Sequence, residues 1–474
     1  MLSSSPVPLY VIVSIAVGLC YFLYVMAAVE KQKRAARLFQ QKNYAEAAGS
    51  YQSLLRWPLP SGIEADTRRR LADTLDVLGR TEEAAQERER ARAAAQKGTL
   101  DPAALETQGD LLKLKHQYDD ACQMYHRALN LLPALAGTGR AHMMAKLALT
   151  HGEAGRPEEA LKWAKMSLGG KPSKDIQRAM ESIAGVACAD QGNLEEAQQH
   201  YSRALELAEA NGKPEDTAQS LAMLADIQHK RGHLEEAISN ARRAVKTCDS
   251  PFRGGRIVEV ECLRDLGRFE EARAVATQMK QGPRHDQPAI EQRMQAMCAL
   301  TLAWTETAAD RPAAALTALE EVREHLKVAS QSTVWPPPPT SGEDKLAVLC
   351  DSTLMRVHAQ LGHQEEARRL RASLETRLPR YAADRAVLMQ SYGQFARAAF
   401  YLGDPAESRD FWQRCLGYRP NPSGLPPIYY WLGETHLRLG ETDMARDFFR
   451  QAVAPGIDSL DARRAQARLN ELGG

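Results

Sequence analysis

The sequence predicts an all-α fold, an α-solenoid built from stacked antiparallel helix pairs. Apolar residues recur at helical spacing, and chain breakers separate the helical stretches at steps of mostly 35 to 43 residues. Aromatic residues make up only 6% of the chain, which favours many thin helical layers over one thick core. Glu-Glu-Ala follows five of the breakers in phase, ending at Ala160, Ala197, Ala237, Ala272 and Ala367.

The clearest example of the pattern lies near the C-terminal end. A first predicted helix places Leu432 and Gly433 on its apolar face, and Gly440 then interrupts the period. A second predicted helix places Ala445 and Phe449 on one stripe. Because Gly433 and Ala445 are small, two antiparallel helices can approach closely at these positions, and Phe449 fills the space beside them.

This arrangement resembles the tetratricopeptide repeat, in which a large residue, Leu-Gly and an aromatic residue precede the turn, and Ala, an aromatic residue and Pro follow it. The matching residues are Tyr429, Leu432, Gly433, Ala445 and Phe449. His436 stands where the family usually has an aromatic residue. The turns define eleven candidate units, which predicts a superhelix of the tetratricopeptide type closed by a capping helix over residues 459–472.

The N-terminal segment predicts a membrane anchor. Residues 9–29 form a run of 21 largely apolar residues without charge, long enough as a helix to span a bilayer core of about 30 Å. Four basic residues follow at positions 31–37 and none precedes the run, so the positive-inside tendency places the soluble part in the cytoplasm. A periplasmic location, a cleaved signal peptide and a buried core helix are the alternatives. The absence of Pro and Gly between Gly18 and Gly49 predicts that this helix continues into the first repeat.

Four segments make up the predicted domain organisation. A transmembrane anchor over residues 1–29 precedes an array of about eight helix pairs over residues 30–325. Four consecutive prolines cannot continue a helix, which predicts an insertion or hinge over residues 326–345. A second array of about three pairs and the capping helix occupy residues 346–474.

Composition and motifs argue against several classes of function. A net charge of +1 provides no basic footprint for nucleic acid. Eight cysteines without a C-x-x-C pair argue against a zinc ribbon or a disulfide framework. His229 and His233 are four residues apart, but the turn predicted at Gly232 should separate them. No H-E-x-x-H, phosphate-binding loop or G-x-S-x-G motif occurs. We therefore predict no catalytic residue, no cofactor, no metal and no enzymatic activity.

The resemblance implies that the first helix of each pair lines a concave groove that receives peptides or helices. In the C-terminal repeats this face is rich in aromatic residues and arginine, which dominate interface hot spots. The arginines could hold a partner's carboxylates while the rings receive apolar anchors. The candidate partner-binding residues are Trp304, Arg356, Arg397, Phe400, Tyr401, Tyr430, Glu434 and Arg438. The alternative is that the rings pack between repeats and the arginines are solvated.

The predicted function is a membrane-anchored scaffold or adaptor that binds a protein or peptide in this groove, with self-association as a further expectation. An envelope assembly or secretion accessory factor, with its repeats in the periplasm, is the alternative. A docking protein similar to mitochondrial import receptors is a third.

Overall fold

A computed structural model describes residues 9–59, 61–99, 101–133, 136–248, 254–331, 345–382 and 384–473. The described residues contain α-helices and two short 3-10 turns, and no strand occurs among them. The predicted all-α repeat fold is therefore confirmed.

The chain forms two compact units, which we call the N-terminal unit (residues 1–143) and the C-terminal unit (residues 144–474). The helices of the N-terminal unit are α1 (Leu9–Gln40), α2 (Tyr44–Leu54), α3 (Ser61–Val77), α4 (Thr81–Thr99), α5 (Pro102–Leu114) and α6 (Tyr118–Leu131). Helix α7 (Gly137–Glu153) contains the boundary between the units.

Sixteen further helices belong to the C-terminal unit. They are α8 (Pro157–Gly169), α9 (Lys174–Asp190), α10 (Leu194–Asn211), α11 (Pro214–Arg231), α12 (Leu234–Thr247), α13 (Gly254–Asp265), α14 (Phe269–Gln281), α15 (Pro288–Ala308), α16 (Pro312–Ser330), α17 (Lys345–Gln360), α18 (Gln364–Arg377), α19 (Arg385–Leu402), α20 (Pro405–Gly417), α21 (Leu425–Arg438), α22 (Thr442–Val453) and α23 (Leu460–Glu471). The two 3-10 turns are Leu378–Tyr381 and Pro422–Gly424.

Local chemistry explains why the helices form hairpins. The turn between α9 and α10 places Gly192 at φ +83°, a left-handed conformation that glycine adopts without a steric penalty. Glu195 and Glu196 then occupy the first turn of α10, where carboxylates compensate the positive end of the helix dipole. These local residues therefore favour the end of α9 and the start of α10.

Close helix crossings hold several pairs together. In three pairs, a glycine on the first helix faces an aromatic ring on the second, and a Cβ added to the glycine would lie no more than 2.5 Å from a ring carbon. The facing residues are Gly109 and Tyr125, Gly185 and Tyr201, and Gly433 and Phe449. A real Cβ atom cannot lie so close to a ring carbon, so a residue with a side chain does not fit at these positions. These glycines therefore set how closely the paired helices approach.

The first helices of successive pairs form a continuous layer in the C-terminal unit. Contacts join α11 to α13, α13 to α15, α15 to α17, α17 to α19, α19 to α21 and α21 to α23. Second helices of successive pairs make few or no such contacts within the part of the chain that the structure describes. The first helices therefore lie on the inner, more tightly packed side of the unit, and we call them the inner layer.

The end of the C-terminal unit folds back onto its middle. The turn Pro422–Gly424 contacts α11, and Ile457 packs against Gly232. The Arg463 guanidinium donates to the Leu266 carbonyl oxygen at 2.5 Å, a contact between residues that are 197 positions apart. The loop before α23 and α23 itself thus bridge to α11 and α13.

Helix α1 corrects the predicted membrane anchor. It runs unbroken from Leu9 to Gln40, as expected, but from Tyr24 onward it packs on the first repeat. Tyr24 stacks on Trp57 with ring centroids 5.4 Å apart, and Ala35 is buried. Among the described residues, no helix has both the length and the apolar character that crossing a membrane requires. This finding contradicts the predicted transmembrane helix and the single-pass membrane localisation.

The predicted proline-rich insertion over residues 326–345 falls largely outside the described residues. Helix α16 ends at Ser330 and α17 begins at Lys345. The predicted boundaries of the two arrays stay a prediction.

Candidate functional site

A group of aromatic and arginine side chains gathers on α17, α19 and α21, three consecutive helices of the inner layer. Arg356 and Phe400 are buried, whereas the other members are partly exposed. We call this group the inner-layer cluster, and its members are Arg356, Arg397, Phe400, Tyr401 and Trp431. Four of the eight predicted partner-binding residues thus come together.

Trp431 lies at the centre of the inner-layer cluster. Its ring centroid is 4.9 Å from the Arg397 guanidinium, 5.3 Å from the Phe400 ring and 6.3 Å from the Tyr401 ring. The sequence analysis did not single out Trp431, which directly precedes the Leu-Gly pair of the repeat pattern. Its spacing of three from Glu434 and seven from Arg438 on the same helix could have identified it.

Arg397 is a recessed cation that forms no ion pair with any described residue. Within the described part of the chain, no carboxylate lies within ion-pair distance of its guanidinium. Burial lowers the pKa of Arg397; Asp461 and Tyr401 act in the opposite direction, and Arg464 and Arg264 reinforce the decrease. The guanidinium lies 4.9 Å from the Trp431 ring and leaves its hydrogen-bond donors unused by the described residues. The site therefore favours an anionic group.

Arg356 adds a second guanidinium, which is more deeply buried in the inner layer than that of Arg397. It is 3% exposed, and one terminal nitrogen donates to the Thr307 carbonyl oxygen at 3.1 Å. Its Nε has no hydrogen-bond partner among the described residues. Burial lowers the pKa of Arg356 to about 9, and the charge of Arg397 contributes to the same decrease. Burying two arginines that form no ion pair with the described residues costs free energy, which points to a functional role.

Two predicted residues are engaged by neighbouring helices. Trp304 donates its indole N–H to the Thr353 hydroxyl at 3.1 Å, which ties α15 to α17. Glu434 accepts two hydrogen bonds from the Arg468 guanidinium at 2.7 and 3.1 Å. Glu434 thus holds α23 against α21.

The last two predicted residues also have partners within the C-terminal unit. Arg438 donates to the Phe400 carbonyl oxygen at 2.6 Å, and its guanidinium lies 3.5 Å from the centre of the Phe400 ring. The Tyr430 ring is 6.0 Å from the ring of Phe449 and 5.7 Å from that of Trp431. Arg438 and Tyr430 therefore pack against Phe400 and Trp431 of the inner-layer cluster.

A charged network on α11 and α13 lies close to the cluster. His229 Nε2 is 2.8 Å from Asp265 Oδ2, and His229 Nδ1 is 3.8 Å from Glu261 Oε2. Arg264 pairs with Asp265 at 3.0 Å and is near enough to Arg397 to lower the pKa of that residue. Burial opposes the charged form of His229, but the hydrogen bond to Asp265 and the charges of Asp265 and Glu261 prevail and raise its pKa.

Sequence models of the tetratricopeptide repeat match most of the chain. One matches residues 114–209 and 218–333, and the others match residues 175–250, 348–372 and 394–469. A search of curated proteins finds no match.

Solved structures share the fold at low sequence identity. A Rap protein complexed with competence and sporulation factor is 13% identical, with a TM-score of 0.53 over 78% of this chain and 99% of that chain. The apo quorum sensor NprR from B. thuringiensis is 11% identical, with a TM-score of 0.48 over 74% and 98%. The human IFIT1 dimer with m7Gppp-AAAA is 14% identical, with a TM-score of 0.46 over 79% and 81%. At these identities the likeness concerns the fold alone.

Proposed function

The chain is a tetratricopeptide-repeat protein, and from this premise we propose that it is a scaffold that binds a protein or peptide partner on its inner layer. The observation that carries the proposal is Arg397, a recessed guanidinium beside Trp431 and Tyr401 without a carboxylate partner among the described residues. The role needs no reaction chemistry, only a surface of matched charge and shape.

The chemistry of the inner-layer cluster specifies the kind of partner. A guanidinium presents several N–H donors in a plane and binds a carboxylate through two parallel hydrogen bonds. Such a bond is stronger in a recessed site than in open water. Tyr401 and Trp431 offer ring surface next to the cation. We therefore expect a segment with an acidic side chain or a free C-terminal carboxylate next to an apolar or aromatic residue.

The fold relationship supports a binding role. The Rap protein with the TM-score of 0.53 was solved in a complex with competence and sporulation factor, so a chain of this fold can bind a partner. Arg356 and Arg397, which form no ion pair with the described residues, give the same role a chemical basis in this chain.

A peptide selection tests the proposal. Purified protein is mixed with a library of short random peptides that have free C-termini, and retained peptides are measured against Arg397→Gln. We expect acidic peptides to be enriched and to bind this variant about 30-fold or more weakly, since loss of a recessed charge partner costs at least about 2 kcal/mol.

The matched control is Arg369→Gln on α18. The Arg369 side chain is 81% exposed, and the residue lies on a second helix, outside the inner layer. We expect this variant to retain the selected peptides. Equal affinity for wild type and Arg397→Gln would overturn the assignment of the binding surface.

A further inference from the structure

Three side chains that commonly bind metals converge in the hairpin of α9 and α10. Cys188 lies in the last turn of α9, and Glu196 and His200 lie on successive turns of α10. One sulfur, one carboxylate oxygen and one imidazole nitrogen from these residues all lie within 4.8 Å of one another. Cys188 is fully buried and His200 is 5% exposed.

The hairpin itself brings these residues together. A Cβ on Gly185 would lie 2.5 Å from the Tyr201 ring, so the two helices approach closely beside the cluster. Glu196 and His200 are four residues apart and therefore share one face of α10. Cys188 follows Gly185 by three residues and is on the facing side of α9.

The imidazole of His200 is oriented for metal binding. Its Nδ1 lies 2.6 Å from Glu181 Oε2, a geometry that suits the tautomer in which Nδ1–H donates a hydrogen bond to the carboxylate. Nε2 then presents its lone pair towards the cluster. A carboxylate behind a histidine ligand is the usual arrangement at protein metal sites, since it fixes the ring and raises its basicity.

The separation of Nε2 from Glu196 fits two ligands of one ion better than a hydrogen bond. His200 Nε2 is 3.8 Å from Glu196 Oε1, beyond hydrogen-bond range. Two ligands of a tetrahedral zinc ion with bonds of about 2.0–2.2 Å stand about 3.3–3.6 Å apart, so a small movement closes the site.

We propose that Cys188, Glu196 and His200 bind one Zn²⁺ ion, with Glu181 as the residue that positions His200. Zinc accepts sulfur, nitrogen and oxygen ligands together, and a fourth position remains for water. Zn²⁺ replaces the thiol proton of Cys188, and that proton passes to solvent. The sequence predicted no metal because the ligands, with seven and three residues between them, span a turn and match no zinc motif.

Lys165 competes with the ion. Its ammonium lies 3.0 Å from Glu196 Oε1, and its side chain is 52% exposed. The lysine can therefore move into solvent when a cation of higher charge takes its place. Zn²⁺ then joins the two helices of the hairpin and stabilises the folded chain by mass action.

Cobalt binding to the full chain tests the proposal. Co²⁺ is added to chelator-treated protein, the thiolate-to-cobalt absorption band is recorded, and Zn²⁺ is added in competition. We expect one Co²⁺ per chain with a thiolate band that Zn²⁺ abolishes. Cys188→Ser and His200→Gln should lose the band. Cys350→Ser, which alters a buried cysteine whose thiol donates to the Leu319 carbonyl oxygen, should retain it.

Two further variants test the site without touching a ligand. Glu181→Gln should weaken Zn²⁺ binding about 10- to 100-fold, as expected for loss of a carboxylate behind a ligand. Lys165→Met should strengthen binding, because Glu196 loses its competing cation. A wild-type chain without a stoichiometric thiolate band, a band that persists in Cys188→Ser, or unchanged affinity in both Glu181→Gln and Lys165→Met would overturn the proposal.

Discussion

The ring of Phe449 occupies the space that a side chain at Gly433 would need. A Cβ on Gly433 would lie 2.4 Å from Phe449 Cε1, and both residues are buried. We expect Gly433→Ala to lower the free energy of unfolding by about 1–3 kcal/mol, because the added methyl group forces the helices apart. Denaturant unfolding of wild type and variant measures the change.

The control is Gly152→Ala in α7. A Cβ at Gly152 meets no atom within 4 Å, so this variant should change stability by no more than about 1 kcal/mol, towards stabilisation. Equal effects of the two substitutions would show that Phe449 does not set the helix separation.

Comparing alanine substitutions at Gly232 and Gly403 distinguishes the cost of backbone strain from the cost of a packing clash. Both have left-handed backbones, at φ +87° and +86°. A Cβ on Gly232 would lie 2.6 Å from Ile457 Cδ1, whereas one on Gly403 meets nothing within 4 Å. We expect Gly232→Ala to cost about 1–3 kcal/mol more than Gly403→Ala, since only Gly232 touches the C-terminal segment.

Hydrogen exchange locates the effect of Gly232→Ala. Faster amide exchange is expected in α23 and in the loop before it, where Ile457 and Arg463 bridge to α11 and α13. Identical losses of stability in the two glycine variants, or exchange that changes only near residue 232, would contradict the closure of the C-terminal unit.

His229 gives stability a specific dependence on pH. Its pKa is raised in the folded chain by Asp265 and Glu261 despite its burial. The stabilisation is therefore complete below the unfolded pKa of about 6.5 and is lost as pH rises through the folded pKa. Relative to His229→Gln, wild type should have its full advantage in stability below about pH 6.5 and lose that advantage as the pH rises through the raised pKa of His229. Unfolding of both proteins across this range measures it, with His233→Gln as the control. An advantage that is constant with pH would contradict the ion pair.

Replacing Arg356 should affect stability and binding in opposite directions. We expect Arg356→Met to raise the free energy of unfolding by about 1–2 kcal/mol, because the buried Nε without a partner is removed. The Thr307 carbonyl oxygen still accepts from the Asp310 N–H at 3.4 Å. Binding of selected acidic peptides should weaken at the same time. A variant that unfolds more easily and binds as tightly as wild type would assign Arg356 to structure alone.

Much of the fold could be predicted because a helix pair is a local object. The facing of Gly433 and Phe449 follows from their positions on two adjacent helices joined by one turn. The fold-back of the chain could not be predicted in this way. Arg463 and Leu266 are 197 residues apart, and the helical periodicity of the sequence does not indicate which distant helices contact each other.

The candidate site was predicted in part for the same reason. The resemblance to the tetratricopeptide repeat placed Arg397 and Tyr401, four residues apart on one helix, on the face that lines the groove. It did not identify the partners that engage other candidates: Glu434 is held by Arg468 on α23, and that pairing depends on how two helices pack. Trp431 was missed because a ring beside the Leu-Gly pair suits the core equally well.

Site-specific cross-linking at residue 401 tests the binding surface most directly. A photoreactive benzoylphenylalanine replaces Tyr401 in the full chain, and a selected acidic peptide is added before irradiation. We expect the peptide to become cross-linked at this position but not when the probe replaces Arg369, and we expect Arg397→Gln to abolish the product. Cross-linking only at position 369, or cross-linking at 401 that is indifferent to Arg397→Gln, would contradict a partner held on the inner layer.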